Sequence, residues 1–180
     1  MHNGNAMLIS KGMNAAINEQ IGHELGASNQ YVAIATYFDG EGLPALARHF
    51  YKQAEEEREH AMKFVKYLVD ADADVVLPAV PAPKAKFTSA ADAVKTSLDH
   101  EMMVTRQIND LMSLAMKEND YISRNLLEWF VQEQLEEVSS MDTLLRMVKR
   151  AGEPGLLFVE QYLNGGGSGG MSHADGGDDD

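Results

Sequence analysis

The sequence contains no cysteine. That excludes a disulfide framework, a zinc ribbon and any thiolate-held iron centre. It also accords with a reducing compartment, so a cytoplasmic location is the expectation. No run of ~18 uninterrupted apolar residues occurs, and no membrane span is expected. Residues 1–12 have neither a basic leader nor a long apolar stretch and do not read as a signal peptide. Basic residues are in deficit: 15 Lys and Arg stand against 28 Asp and Glu, a formal charge of −13. A nucleic-acid partner would call for the opposite balance. The acidic surface suits attraction of cations, or simply solubility. Part of that charge lies in Gly165–Asp180, GGGSGGMSHADGGDDD, which holds four aspartates and no Lys or Arg. This glycine-rich acidic tail, 165–180, is expected to be disordered.

What remains is a chain rich in helical periodicity and poor in breakers. Its 180 residues, 44% hydrophobic, suit one domain with a sizeable core. A flexible N-terminus over 1–12 is expected to precede a bundle domain over 13–164. The first helix is expected from Met13 to Phe38, and the second from the Gly40–Pro44 break to about Ala71. The third should start near Ser89, with Thr88 or Ser89 as N-cap and Asp92 in the first turn. Asn119 and Asp120 interrupt it. The fourth runs from Tyr121 to Gly152, a C-terminal glycine after Lys149 and Arg150. A short fifth helix follows over Gly155–Leu163. Each long helix would be ~40 Å at 1.5 Å per residue. Three of the five prolines, Pro78, Pro81 and Pro83, fall in the connection Asp72–Thr88. Extended, its residues reach ~50 Å, enough to return along a whole helix. The expected fold is therefore all-α: a four-helix bundle with a long crossover between the second and third helices, plus a short C-terminal fifth helix.

The seams of these helices carry residues that a core does not want. The first helix reads Ile17, Ile21, Glu24, Ser28, Tyr31, Ala35, Phe38. The second reads Leu46, Phe50, Ala54, Glu57, Ala61, Phe64, Leu68, with His60 on the same face. The third reads Val94, Leu98, Glu101, Thr105, Ile108, Met112, and the fourth Leu127, Phe130, Gln134, Glu137, Met141, Leu144, Val148. Every helix places a carboxylate near mid-height of its apolar line. One such glutamate could reach out to water; four at matching height cannot all do so. Buried together, they must take up protons or hold cations. Two divalent metals would neutralise Glu24, Glu57, Glu101 and Glu137. An internal repeat stands behind this pattern. Glu24 precedes Glu57 and His60 by the same two spacings that separate Glu101 from Gln134 and Glu137. Carboxylates with one imidazole suit iron or manganese, and zinc less specifically.

With NEQIGHE and Tyr31 in the first helix, AEEEREH in the second, DHE in the third and WFVQEQLEE in the fourth, the chain resembles the bacterial non-haem ferritins of the di-iron carboxylate class. The resemblance implies oxidation of Fe(II) by dioxygen at a di-iron ferroxidase centre. It also implies storage of ferric mineral in a hollow homo-oligomer of 24 subunits. Glu24 and His60 would serve one iron, Glu57 would bridge, and Glu101 and Glu137 would serve the second. Gln134 would lie near the dioxygen position and Tyr31 beside the site. A third iron position would use Glu56, Glu133 and Glu136 with Glu137. No haem is expected, because Arg58 stands where bacterioferritins carry the haem methionine. A di-metal oxidase without storage, or a non-catalytic helical shell, are the rival readings. His23, His49 and His100 are read as surface residues and Trp129 as a subunit contact. Asp120 is read as a helix cap or, at a symmetry axis, a pore residue.

Overall fold

The computed structural model describes residues 7–165. Its order is α1 Lys11–Gly40, α2 Pro44–Asp70, α3 Ala90–Glu118, α4 Tyr121–Ala151, a 3-10 turn at Glu153–Gly155, and α5 Leu156–Asn164. No strand occurs among the described residues.

Local chemistry explains the boundaries. Ser10 caps α1 by accepting from the Met13 N–H, so the helix starts two residues before Met13. Ile9 is buried and the Leu8 N–H donates to the Ala71 carbonyl at 3.1 Å. The expectation of a flexible N-terminus is corrected for its second half, which packs on the end of the bundle; residues 1–6 lie outside the described ones. Ser89 caps α3 through the Asp92 N–H, and the Asp92 carboxylate accepts in return from the Thr88 N–H. Asn119, with φ 56°, turns the chain out of α3. Asp120 accepts from the Ser123 N–H at 2.9 Å, which is the cap role expected of it. Gly152, with φ 61°, ends α4 in a conformation that disfavours any side chain. The C-terminal segment then caps two other helices. Glu153 accepts from the Ala90 N–H at the start of α3. The Glu160 carboxylate accepts from the Ala45 and Leu46 N–H groups at 2.8 and 2.7 Å. That last contact supplies an anionic cap to α2, whose own N-cap residue, Leu43, has none. The expected tail, 165–180, lies outside the described residues beyond Gly165.

The apolar core comes in two halves. One gathers Phe38, Phe50, Val94 and Leu144 with Leu156 and Val159 of α5. The other gathers Ile17, Phe64, Ile108, Leu127 and Phe130. The first half joins the C-terminal part of α1 to the N-terminal parts of α2 and α3 and the C-terminal part of α4. Helix α1 is therefore antiparallel to α2 and α3, and α2 is parallel to α3. This is the arrangement that the long crossover implied.

The crossover is bound, not merely long enough. It lies along a line of α1 residues four apart: Asn18, Gly22, Gly26 and Gln30. Asn18 donates to the Asp74 carbonyl and accepts from the Val76 N–H, at 2.8 and 2.6 Å. Gln30 pairs likewise with both backbone groups of Lys84, at 2.8 and 3.0 Å. Between these amides the chain needs room. A Cβ on Gly22 would sit 2.4 Å from Pro78 Cγ, whereas on Gly26 it would meet Val80 at 3.7 Å. A helical Gly→Ala exchange gains ~1 kcal/mol in propensity, and overpacking costs ~1–3 kcal/mol. Gly22→Ala should therefore lower the melting temperature while Gly26→Ala raises it or leaves it, a contrast that thermal circular dichroism will read. Equal effects of the two would show that the crossover is not seated on Gly22.

Candidate metal centre

Heptad spacing brings the mid-height residues of all four helices inward between the two core halves. Glu24, Glu57, His60, Glu101, Gln134 and Glu137 are each at most 5% exposed. Glu24, Glu57 and His60 each offer a ligand atom, and these atoms lie within 4.8 Å of one another. His60 Nδ1 is 3.4 Å from Glu57 Oε2, and His60 Nε2 is 3.6 Å from Glu133 Oε1. On the other hairpin, Gln134 Nε2 donates to Glu101 Oε2 at 3.3 Å. The Tyr31 hydroxyl donates to Glu101 Oε1.

Three supports of this arrangement were not apparent in the sequence. Gln20, 2% exposed, donates from Nε2 to Glu24 Oε1 at 2.9 Å. Thr105 presents its hydroxyl to Gln134 Oε1 at 2.9 Å, which turns the amide nitrogen of Gln134 toward Glu101. Glu133 acts as the second carboxylate of His60. The usable signal was position: Gln20 lies one turn before Glu24, and Thr105 one turn after Glu101.

The electrostatics are those of a site built for cations. Burial and the nearby Glu101 carboxylate hold Glu57 well above the usual carboxylate range. Burial pushes Glu101 up to about 7, against the Tyr31 hydrogen bond that lowers it. Burial, Glu101 and Glu56 push Glu137 up to about 8. Burial disfavours a charged His60, but Glu133 and Glu57 overcome it and raise the imidazole to about 11. Burial and the surrounding glutamates raise Tyr31 well above its ordinary value. Despite their number, these oxygens are poorly satisfied. Glu24 Oε2 and both oxygens of Glu57 are buried without a hydrogen-bond partner. Buried oxygens in that state cost ~1–3 kcal/mol each, and more when charged; a bound cation removes the cost.

The remaining expected residues divide. Glu56 is half-buried, held by Lys52 at 2.9 Å and by Gln53. Glu133 is buried beside His60, but Glu136 is exposed, so only two of the three residues named for a third metal turn toward the centre. Arg58 is exposed. The reading of three surface histidines is corrected. His23, His49 and His100 are half-buried, and each flanks a seam residue. Burial lowers His49 and His100 to about 4, and the Nε2 atom of each is buried without a hydrogen-bond partner. Trp129 stacks edge-on against His60 at 5.5 Å, with Lys63 Nζ 4.4 Å from its ring centroid.

A four-helix bundle with buried glutamates from all four helices, a histidine and a glutamine at one level defines a carboxylate-rich bundle with donors able to hold a metal. Comparison with known proteins identifies the family. The Ferritin-like domain model matches residues 14–151. The chain is 46% identical over 149 residues to Ferritin BfrB of Mycolicibacterium smegmatis, covering 83% of this chain and 82% of that protein. It is 38% identical to the bacterial non-heme ferritin of Staphylococcus aureus, covering 81% of this chain and 88% of that protein. An open pore ferritin from the archaeon Archaeoglobus fulgidus superposes with a TM-score of 0.85 at 34% identity, covering 88% of this chain and 98% of that one. The chain belongs to the ferritin family.

Proposed function

We propose that the protein stores iron, oxidising Fe(II) with dioxygen at a paired-iron ferroxidase centre and depositing ferric oxyhydroxide inside a hollow homo-oligomer of 24 subunits. The observation that carries the proposal is the set of buried, under-satisfied glutamate oxygens facing one histidine at the level where the four seams meet. Glu24 and His60 bind one ferrous ion, Glu57 is shared, and Glu101 and Glu137 bind the other. Tyr31 and Gln134 orient Glu101 by hydrogen bonds. Two ferrous ions each give one electron to one dioxygen, which takes up two protons and leaves as hydrogen peroxide, and hydrolysis of the two ferric ions to oxyhydroxide releases protons. A third iron position at Glu56 and Glu133 beside Glu137, with Glu136 at its exposed side, would receive iron leaving the pair. The storage role and the shell rest on the similarity to proteins named ferritins. With Arg58 exposed where a haem methionine would stand, no haem enters the proposal. A cytoplasmic location accords with the cysteine-free sequence; no helix among the described residues is long and apolar enough to cross a membrane.

The test is aerobic addition of ferrous salt to the apo-protein. Near-ultraviolet ferric absorbance should rise faster than in buffer. The iron should then co-elute on size exclusion with a particle many times the 19.8 kDa of one chain. Fast oxidation without retention would instead mark an oxidase of the same fold. Retention at the background rate would mark a non-catalytic shell.

A further inference from the structure

A groove between α1 and α3 opens beside the metal centre. Glu19 and Asp110, both exposed, stand at its sides, with His23, Gln107 and Gln20 deeper. No lysine or arginine lines it. Its volume is about 440 Å³, ample for a divalent ion with six waters at ~30 Å³ each. Gln20 is the connecting residue. Its Oε1 lies 3.4 Å from His23 Nδ1 on the groove side, and its Nε2 donates to Glu24 Oε1 at 2.9 Å on the site side. Gln107 Oε1 is buried there without a hydrogen-bond partner, and so is Glu24 Oε2 one side chain further in. From solvent inward the succession is two carboxylates, an imidazole, neutral amides, and then the buried glutamates. Each group is an oxygen or nitrogen donor suited to a hard or borderline divalent cation. The amides bind it more weakly than the carboxylates on either side, which favours passage over retention.

We propose that this groove is a loading path that brings hydrated divalent metal, Fe(II) above all, directly to Glu24, with Gln20 as the side chain that must swing aside. The inference rests on the metal-centre reading above. The path enters from the α1–α3 side, whereas Glu56 and Glu133 lie on α2 and α4. Acidic residues at the mouth of a cleft raise the rate at which a cation arrives without changing how tightly the inner ligands hold it. The two effects can be separated.

The experiment mixes assembled apo-protein with Fe(II) under anaerobic conditions in a stopped-flow instrument and follows quenching of Trp129. This is the sole tryptophan, in edge contact with His60. Glu19→Gln/Asp110→Asn should slow the quench about tenfold, within the ~10–10³ range of such steering. The final amplitude and the number of irons bound should be unchanged. The parent rate should fall with added salt, and the variant rate much less. Glu55→Gln/Glu59→Gln, which removes the same charge from an exposed stretch of α2, should load at the parent rate. Equal rates in the parent and the groove variant would overturn the proposal, and so would equal slowing by the two variants. A parent that neither quenches nor oxidises iron would instead overturn the metal-centre reading, and this inference with it.

Discussion

Glu57→Ala should slow aerobic ferrous oxidation by about a hundredfold or more, while the apo-protein still folds. Glu57 links the ligands of both hairpins: its carboxylate shares a 4.8 Å cluster with Glu24 and His60, and it interacts electrostatically with Glu101. In the proposed site both irons lose a ligand when it is removed. Displacing a mere supporting group around a metal already costs ~10–100-fold, so losing a shared ligand costs at least as much. Ordinarily, deleting a buried charged side chain also risks unfolding. Here the only close polar contact that Glu57 gives up in the apo-protein is the 3.4 Å one with His60. His60 keeps Glu133 as a carboxylate neighbour. The measurement pairs ferric absorbance with the melting temperature of the metal-free variant. Unchanged oxidation would refute the assignment of Glu57. Lost oxidation together with a collapsed melting temperature would show only a folding defect, and Glu57→Gln, which keeps the volume, would then decide.

The second large effect is on stability. The metal-free protein should lose on the order of 10 °C of melting temperature between about pH 6.5 and about 9, from ~1.4 kcal/mol per group per pH unit and ~2–4 °C per kcal/mol. Glu101 and Glu137 are raised to about 7 and about 8, and Glu57 is held well above its usual range, first of all by burial. An unfolded glutamate titrates near 4.3. A group whose folded pKa exceeds its unfolded one binds its proton more tightly in the native state. Its stabilisation is complete below the unfolded value and is lost as pH rises through the folded one. His60, raised to about 11, acts in the same direction above ~6.5. His49 and His100, lowered to about 4, act oppositely and only below ~6.5, so they do not mask the alkaline loss. Saturating Zn(II), which binds without oxidation, should remove the slope, because the metal supplies the charge that the protons supplied. Glu137→Gln should flatten it in part. A metal-free melting temperature that rises or stays level through this range would contradict the buried carboxylate cluster. The prediction needs no oxidation assay and bears on the site alone.

Much of this protein was legible in its order of residues. The alternation of three and four along each seam placed the buried line of every helix. The shared spacing of Glu24 to Glu57 and His60, and of Glu101 to Gln134 and Glu137, was readable because a helix turns periodic spacing into a common face. The crossover was readable from Pro78, Pro81 and Pro83, since proline forbids helix there. Contacts between segments far apart in sequence carry no such period. That Gln20 holds Glu24, that Thr105 orients Gln134, that Glu133 stands behind His60, and that Glu160 caps α2 became visible only once the helices were packed. The same holds for His100, which was read as exposed but meets the Tyr31 ring of α1 edge-on. The sequence by itself determined that four carboxylates must meet in the middle of a bundle, because hydrophobic burial of each seam leaves them no other place. Only the tertiary structure decided how those carboxylates are held, which of them remain unsatisfied, and where a groove reaches them, because those depend on distances between helices that no local pattern encodes.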